Sequence, residues 1–337
     1  MSFSRYAPED SVISSETVVR GLWSSDSNVL YLASTYTSSY TEYYLDVYNG
    51  NSTSAGSSVQ FSLQYGNVSG SGSANINASA VGKTPSRIVY GEYRNLVYGT
   101  EAVDFSFNSD VTSSKDIFVI NVARSRYKES LLPGSFNLTL LTGSAGVSSS
   151  LKLIDDSLTT NLTRYIGENK VYYLIQSGSV NTTKYYGMLF PDLNIAVLNA
   201  TAGSSGSISP FIAPLATTYA TGNNHLKLFT SIVSGSGGSY PTSGSVNGFY
   251  LQSSETVSSR YFFTRVKNSE FNYTTNPSII DDNGNLLYTS LINNPQTYVT
   301  TVGMYNDNNE LLAVSKLSRP LTKDFTKEAL IRIKLDY

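Results

Sequence analysis

Residues 59–65 read VQFSLQY, and this stretch decides the fold class. Apolar side chains occupy every second position and polar ones lie between them, so the apolar set shares one face of an extended strand. A strand buried on one face only is typical of antiparallel sheets. Upstream, Asn49 and Gly50 open a polar loop after another alternating run. This arrangement predicts a hairpin with a long connection.

Further strands are predicted in both directions from this stretch. Residues 117–122 (IFVINV) are almost continuously apolar, which indicates a strand buried on both faces. Residues 298–304 alternate again, with Tyr298, Val302 and Met304 on one predicted face. Asparagine-rich residues 306–309 then predict a turn, and the chain runs back as another strand.

The last nine residues, 329–337 (ALIRIKLDY), fit two patterns. Some of their spacing is helical, but a helix would lack a clean polar face, whereas the strict alternation suits a strand. We therefore predict a strand. Its buried face carries the four residues Ile331, Ile333, Leu335 and Tyr337.

The composition supports a β-rich fold. Charged residues make up 14% of the 337, and Gly and Tyr are abundant at 25 and 26. β-Branched and aromatic residues suit strands, whereas Ser, Asn and Gly suit turns. We predict an all-β protein of two or three antiparallel β-sandwich-like domains joined by Gly/Ser-rich loops. Tracts such as GSAGVSSS and SGSGGSYPTSGSVNG suggest the boundaries, which gives domains 1–145, 146–245 and 246–337.

The same composition argues against several function classes. The chain has no Cys and a single His, so no metal and no cofactor is predicted. The net charge of −2 argues against nucleic-acid binding. No run approaches 18 apolar residues, so no membrane insertion is expected. The first ten residues have no apolar core of a signal peptide.

Motifs of catalysis are weak, so no catalytic residue is predicted. Gly82-Lys83-Thr84 resembles the end of a phosphate loop, but Pro85 follows, which we interpret as opposing a phosphate-binding helix. His225 lies in a turn-like context and is interpreted as an exposed loop residue. Residues 281–285 (DDNGN) fit a hairpin turn better than a calcium loop. A glycosidase remains an alternative, with a set of candidate carboxylates: Glu92, Glu101, Asp104, Glu168 and Asp192.

Candidate subunit contacts come from local basic clusters. Arg124 and Arg126 lie just before Tyr127 in the sequence, and Arg319 belongs to a basic C-terminal region. Basic residues at strand edges often block unwanted pairing. Contact with an acidic face of a neighbouring subunit is the alternative. These residues and the buried face of the last strand are the predicted contact sites.

The C-terminal stretch also resembles a known module. Residues 300–320 (TTVGMYNDNNELLAVSKLSRP) are similar to a β-module of tail-fibre and baseplate-associated proteins of tailed bacteriophages. There, a strand ending in Gly-x-Tyr precedes an Asp/Asn turn, a Leu-Ala-Val strand and a proline-linked strand. Residues 7–12, 90–96 and 261–279 resemble structural proteins of myovirus particles.

This resemblance implies a non-enzymatic virion protein of the tail or baseplate, made in the host cytoplasm. Its expected partners are other virion structural proteins and further copies of itself. Receptor or carbohydrate binding is one alternative, in which Tyr36, Tyr40 and Tyr240 would stack on a host surface glycan. A capsid decoration or neck protein is another.

Overall fold

The computed structural model describes twelve stretches of the chain, which are residues 5–23, 31–33, 43–50, 52–107, 113–141, 150–160, 162–178, 184–220, 222–235, 248–272, 276–293 and 295–336. It is mostly β, with antiparallel sheets, which confirms the predicted all-β fold class. The chain divides into two compact units. The smaller unit comprises Met1–Thr17 and Thr256–Tyr337, and the larger unit is Val18–Glu255.

The strands alternate with a few helices along the chain. The strands are β1 (Ser11–Gly21), β2 (Tyr31–Ala33), β3 (Leu45–Tyr48), β4 (Val59–Asn67), β5 (Asp116–Val122), β6 (Ser130–Leu131), β7 (Asn137–Leu141), β8 (Ser150–Asp155), β9 (Arg164–Ile166), β10 (Asn169–Gln176), β11 (Gly187–Phe190), β12 (Ile195–Asn199), β13 (Phe249–Tyr250), β14 (Gln252–Val266), β15 (Thr297–Tyr305), β16 (Leu311–Lys323) and β17 (Ala329–Asp336). The α-helices are α1 (Pro85–Tyr98), α2 (Asn224–Gly235) and α3 (Thr289–Asn293). Short 3₁₀ helices cover Pro8–Asp10, Asp156–Leu158 and Ser209–Phe211.

The larger unit is built on one curled antiparallel sheet. Its strand order is β13-β7-β8-β10-β11-β12-β5-β4-β3-β2, with β9 paired to β10. The predicted hairpin of residues 59–65 is confirmed, because β3 and β4 pair antiparallel with Leu45 opposite Leu63. Helix α2 packs against both β7 and β4, which are far apart in the strand order. The sheet therefore curls around this helix.

Both faces of the large sheet are covered, as β5 shows. Its residues Phe118 and Ile120 belong to a core of thirty buried residues that includes α2. The alternating residues Ile117 and Val119 belong to a second core of thirteen, which includes α1. Successive side chains of a strand point to opposite faces. The apolar run of residues 117–122 is therefore confirmed as a strand buried on both faces.

Helix α1 corrects the interpretation of Pro85. The helix begins at this proline, and the side chain of Thr84 caps it by accepting a hydrogen bond from the backbone N–H of Arg87. Proline is favoured in the first turn, because its missing N–H has no helical partner there. The helix ends at Gly99, whose φ of 70° suits glycine. Proline thus starts a helix here rather than opposing one.

The smaller unit has two antiparallel layers. In one layer, β14 lies between β1 and β17, with Phe262 opposite Ile333. The other layer is the β15–β16 hairpin. Among the described residues, the fully buried part of the core between them is formed by three apolar residues, Val266, Ile331 and Ile333. Partly buried side chains such as Val302 pack around these three.

The division into units differs from the predicted domains. Both predicted boundaries, after residues 145 and 245, lie outside the described residues. Strands β7 and β8, on either side of the first boundary, pair with Leu138 opposite Leu153, so no break between compact units falls there. After the second boundary, β13 still pairs with β7 of the larger unit. Loops within a domain and linkers between domains can both be rich in Gly and Ser, because both need flexible polar chain. Composition alone therefore does not distinguish a domain boundary from a loop.

Candidate interaction surfaces

The Arg124–Tyr127 cluster is a compact turn directly after β5. The Nη1 of Arg124 donates to the carbonyl oxygen of Tyr127 at 2.9 Å, and its guanidinium lies 4.8 Å from the centre of the Tyr127 ring. Tyr127 also packs against the thirty-residue core. Arg124 is exposed and Arg126 is half-buried. The structure therefore joins the three predicted residues into one basic surface feature of the larger unit.

Arg319 belongs to the smaller unit, in a bulge of β16. Between the pairs Val299–Leu321 and Thr301–Lys316, β16 has three more residues than β15. Arg319 lies among these extra residues and is exposed, and Pro320 follows it. A bulge accommodates proline because proline cannot donate to the ladder. Arg319 thus has the exposure that a contact residue needs.

The last strand has the predicted register. Ile331 and Ile333 are buried, at 7% and 4% exposure, while Arg332, Lys334 and Asp336 are exposed. The prediction of a strand rather than a helix is confirmed. Leu335 is half-buried, and Tyr337 lies outside the described residues. The two isoleucines are covered by their own chain, so they are not themselves available as contact residues.

A surface that sequence reasoning missed is the outer face of the β15–β16 hairpin. Gly303 lies opposite Val314, and a Cβ at Gly303 would touch the Tyr305 ring and Leu311. These side chains therefore share one side of the hairpin. Tyr305, Leu311 and Val314 are 46%, 53% and 57% exposed. The signal in the sequence was the glycine in a strand, which often marks a close approach of another group.

The predicted face of β15 was also wrong at one end. Val299, Val302 and Met304 pack towards the core, whereas Tyr298 is exposed. The cause is the register shift between Val299 and Thr301, which reverses the side-chain alternation. Tyr298 and Val302 are four residues apart, a spacing that predicts one shared face in a regular strand. Nothing in the sequence of β15 itself reveals the register shift.

Two of the candidate glycosidase carboxylates share one arginine. Glu101 and Asp104 both contact Arg94, at 3.8 Å and 2.8 Å, in an ion-pair cluster. Glu92, Glu168 and Asp192 are exposed. An arginine between two carboxylates holds the polypeptide after α1 against the helix.

His225 is not an exposed loop residue, contrary to the sequence interpretation. It is the second residue of α2, which begins at Asn224, and its side chain is partly buried. Burial lowers the pKa of the imidazole to about 4, because desolvation disfavours the charged form. The imidazole is therefore neutral at physiological pH.

The DDNGN stretch is confirmed as a turn. The carboxylate of Asp281 accepts hydrogen bonds from the backbone N–H groups of Asn283 and Asn285, and Ile280 bridges to Leu286. The hydrogen bonds from Asn285 hold the pKa of the Asp281 carboxyl below its usual value. Of the turn residues, only Gly284 has a positive φ, whereas a type I′ turn needs two such residues, so this turn is of another type.

Neither a metal-ion cluster nor a membrane-spanning helix is found in the described residues. No cluster of three or more His, Asp or Glu side chains suited to a metal ion occurs among these residues. No helix in the described stretches has the length and apolar character to span a bilayer. Tyr36, Tyr40 and Tyr240, the predicted glycan-stacking residues, lie outside the described residues. Comparison of the chain with protein-family models, curated proteins and solved structures finds no match.

Proposed function

We propose that the chain is a non-enzymatic structural component of a tailed-bacteriophage particle, in the tail or baseplate, that acts by binding other subunits. The observation that carries this proposal is the smaller unit, which leaves large apolar side chains on its surface. Leu311, Leu312 and Val314 of β16 are each more than half exposed, at 53%, 66% and 57%. Exposed apolar patches of this kind mark interaction surfaces.

The resemblance of residues 300–320 to a tail-associated module supports the same proposal. These residues form most of the β15–β16 hairpin, so the resembling stretch and the exposed apolar surface coincide. The Arg124 turn of the larger unit offers a second, basic surface for an acidic neighbour. Two surfaces of different chemistry suit a subunit that joins unlike neighbours.

Particle composition and position test the proposal. Particles purified from infected cells would be analysed by quantitative mass spectrometry and by cryo-electron microscopy. We expect the chain in a fixed number of copies per particle, with its density in the tail or baseplate. Recovery of the chain only outside particles would overturn the proposal, and density on the capsid would support the decoration alternative instead.

Two matched variants locate the contact. Leu312→Asp places a charge on the exposed surface of the smaller unit, and Leu162→Asp does the same on the larger unit, where Leu162 is 63% exposed. If the hairpin binds a neighbour, Leu312→Asp should greatly reduce incorporation into particles, while Leu162→Asp should not. Equal incorporation of both variants would contradict a role for the hairpin.

A further inference from the structure

The outer face of the β15–β16 hairpin is too apolar to be only a solvent surface. Tyr305, Leu311, Leu312 and Val314 lie near the tip of the hairpin and are 46%, 53%, 66% and 57% exposed. Together these four side chains expose roughly 400 Å² of mostly apolar surface. Two-stranded hairpins are marginally stable alone, and this one has only a three-residue buried core beneath it. Covering the outer face would stabilise the hairpin.

The patch has the size of the centre of a standard interface. Apolar atoms contribute about 60% of a protein–protein interface. A centre of roughly 400 Å² with a polar rim therefore corresponds to roughly 700 Å² per partner, which is within the range of standard stable complexes.

Charges of both signs flank the patch along the hairpin. Asp307 and Glu310 lie at the tip and are exposed, and Lys316 and Arg319 lie on β16 beyond Val314 and are exposed. Glu310 and Lys316 are six residues apart, about 20 Å along a strand.

The tip acids are exposed to a partner, and the Glu310 carboxylate also accepts a hydrogen bond from Nδ2 of Asn306. Asp307 pairs with Arg5 at 3.4 Å, with both side chains more than 90% exposed, so this pair contributes little. In the described stretches, Lys316 and Arg319 have no ion-pair partner.

We infer that the partner of this face is a second copy of the chain, docked hairpin against hairpin about a two-fold axis through the apolar patch. This inference rests on the proposed assembly function and names its partner. The axis reverses the second hairpin, so the acidic tip of each copy meets Lys316 and Arg319 of the other. A partner of a single charge sign would be repelled at one end of the patch. A two-fold interface uses the same patch on both subunits, as these charges require.

The first test measures the mass of the purified full chain by light scattering over a concentration series. We expect a monomer–dimer equilibrium for the wild type. The double variant Leu311→Asp/Val314→Asp should weaken dimerisation about a hundredfold or more, because it places like charges at the centre of the interface. Leu162→Asp is the matched control and should dimerise normally. A wild type that stays monomeric, or a double variant that dimerises equally well, overturns the inference.

The second test uses charge reversal. The tip variant Asp307→Lys/Glu310→Lys and the β16 variant Lys316→Glu/Arg319→Glu should each dimerise poorly, since each brings like charges together. When the two are mixed, every tip meets an opposite charge, so heterodimers should form with near wild-type affinity. All four residues are exposed, and thermal unfolding of each variant checks that it is folded. Failure of the mixture to form heterodimers overturns the two-fold arrangement.

The outcomes separate this inference from the proposed function. A chain that enters particles but never dimerises through the hairpin keeps the structural function and loses the inference. A chain that dimerises as described but is absent from particles keeps the inference and loses the proposed function.

Discussion

The two units of the chain bury their apolar side chains to different extents. The larger unit covers both faces of its sheet, with α1 over a core of thirteen buried residues and α2 inside a core of thirty. The smaller unit has two layers, one core of three buried residues, and exposed apolar side chains on its hairpin. A third layer lets both faces of a sheet be buried within one chain. A unit without it leaves a face for another molecule.

The largest effect that this comparison predicts is in β17. Ile333→Asp places a charge in the three-residue core, opposite Phe262. We expect a loss of at least about 4 kcal/mol, because it removes apolar burial and buries an unpaired charge. The smaller unit should unfold, as measured by limited proteolysis and chemical denaturation.

The neighbouring residue gives the matched control for that change. Lys334 is exposed, and its ion pair with Asp336 spans 3.1 Å. Lys334→Asp should cost under about 1 kcal/mol, since exposed ion pairs contribute little. A larger effect for Lys334→Asp than for Ile333→Asp would show that the faces of β17 are assigned the wrong way round.

The same truncation in each unit sharpens the comparison. Ile120→Ala in β5 and Ile333→Ala in β17 each remove a buried isoleucine, at 1% and 4% exposure, and each should cost about 2–5 kcal/mol. The smaller unit has about one hundred residues and the larger more than twice as many. The melting temperature of the smaller unit should fall about twice as far for each kcal/mol lost, since the entropy of unfolding scales with size.

Calorimetry checks this prediction and its premise. We expect two unfolding transitions, one for each unit, because the units have separate cores. Ile333→Ala should move one transition and Ile120→Ala the other. A single transition that both variants shift equally would show that the two units unfold together.

The pH dependence of stability should arise in the larger unit at mildly acidic pH. His225 has a pKa of about 4 in the fold against 6.5 when unfolded, so between these values only the unfolded chain binds the proton. The free energy of unfolding should therefore fall as the pH drops from about 6.5 to about 4, by at most roughly 3 kcal/mol, and level off below. Above pH 6.5 this group should have no effect.

A variant isolates this contribution. His225→Gln removes the titrating group, so denaturation curves between pH 7 and pH 4.5 should become nearly independent of pH for the larger unit. The carboxyl groups with lowered pKa values, such as Asp281 and Asp324, titrate below this window. An unchanged pH dependence in His225→Gln would refute burial of the imidazole as its cause.

A further prediction concerns close packing of the large sheet. A Cβ at Gly187 of β11 would clash with the carbonyl oxygen of Val197 on β12, so Gly187→Ala should cost about 1–3 kcal/mol. At Gly21 in β1 a Cβ would meet nothing within 4 Å. Gly21→Ala should therefore change stability by under about 0.5 kcal/mol. Equal melting temperatures for the two variants would contradict the close approach of β11 and β12.

Local patterns predicted the strands better than the helices. The alternation in β4 and β17 and the apolar run in β5 gave the correct apolar faces, because a strand's periodicity is visible within a few residues. The prediction that β4 is buried on one face only was wrong, because α1 covers its polar face, on which Gln60 is only 1% exposed. Helix α1 was missed although Thr84 and Pro85 form a good start signal, and α2 was missed behind the turn-like Asn223-Asn224. Both helices rely on burial against the sheet, and tertiary packing stabilises short helices more than propensity does.

Some candidate surfaces could be predicted from the sequence and others could not. The basic turn at Arg124 and Tyr127 was visible in sequence, because its residues are adjacent and interact locally. The exposure of Tyr298 was not, since it depends on how many residues β16 inserts opposite β15. The outer hairpin face was also invisible, because alternating apolar residues on both strands do not reveal which side the core will cover.

The sequence by itself determined the antiparallel β class, the register of β17 and the turns at Asp281 and Asn306, because side-chain alternation and turn chemistry act over a few residues. Only the tertiary structure decided that residues on both sides of the Gly/Ser-rich tracts share one sheet, that α1 and α2 cover its two faces, and that the smaller unit keeps so small a core. These features depend on contacts between segments that are far apart in the sequence. Burial is set by such contacts and cannot be read from any local stretch of chain.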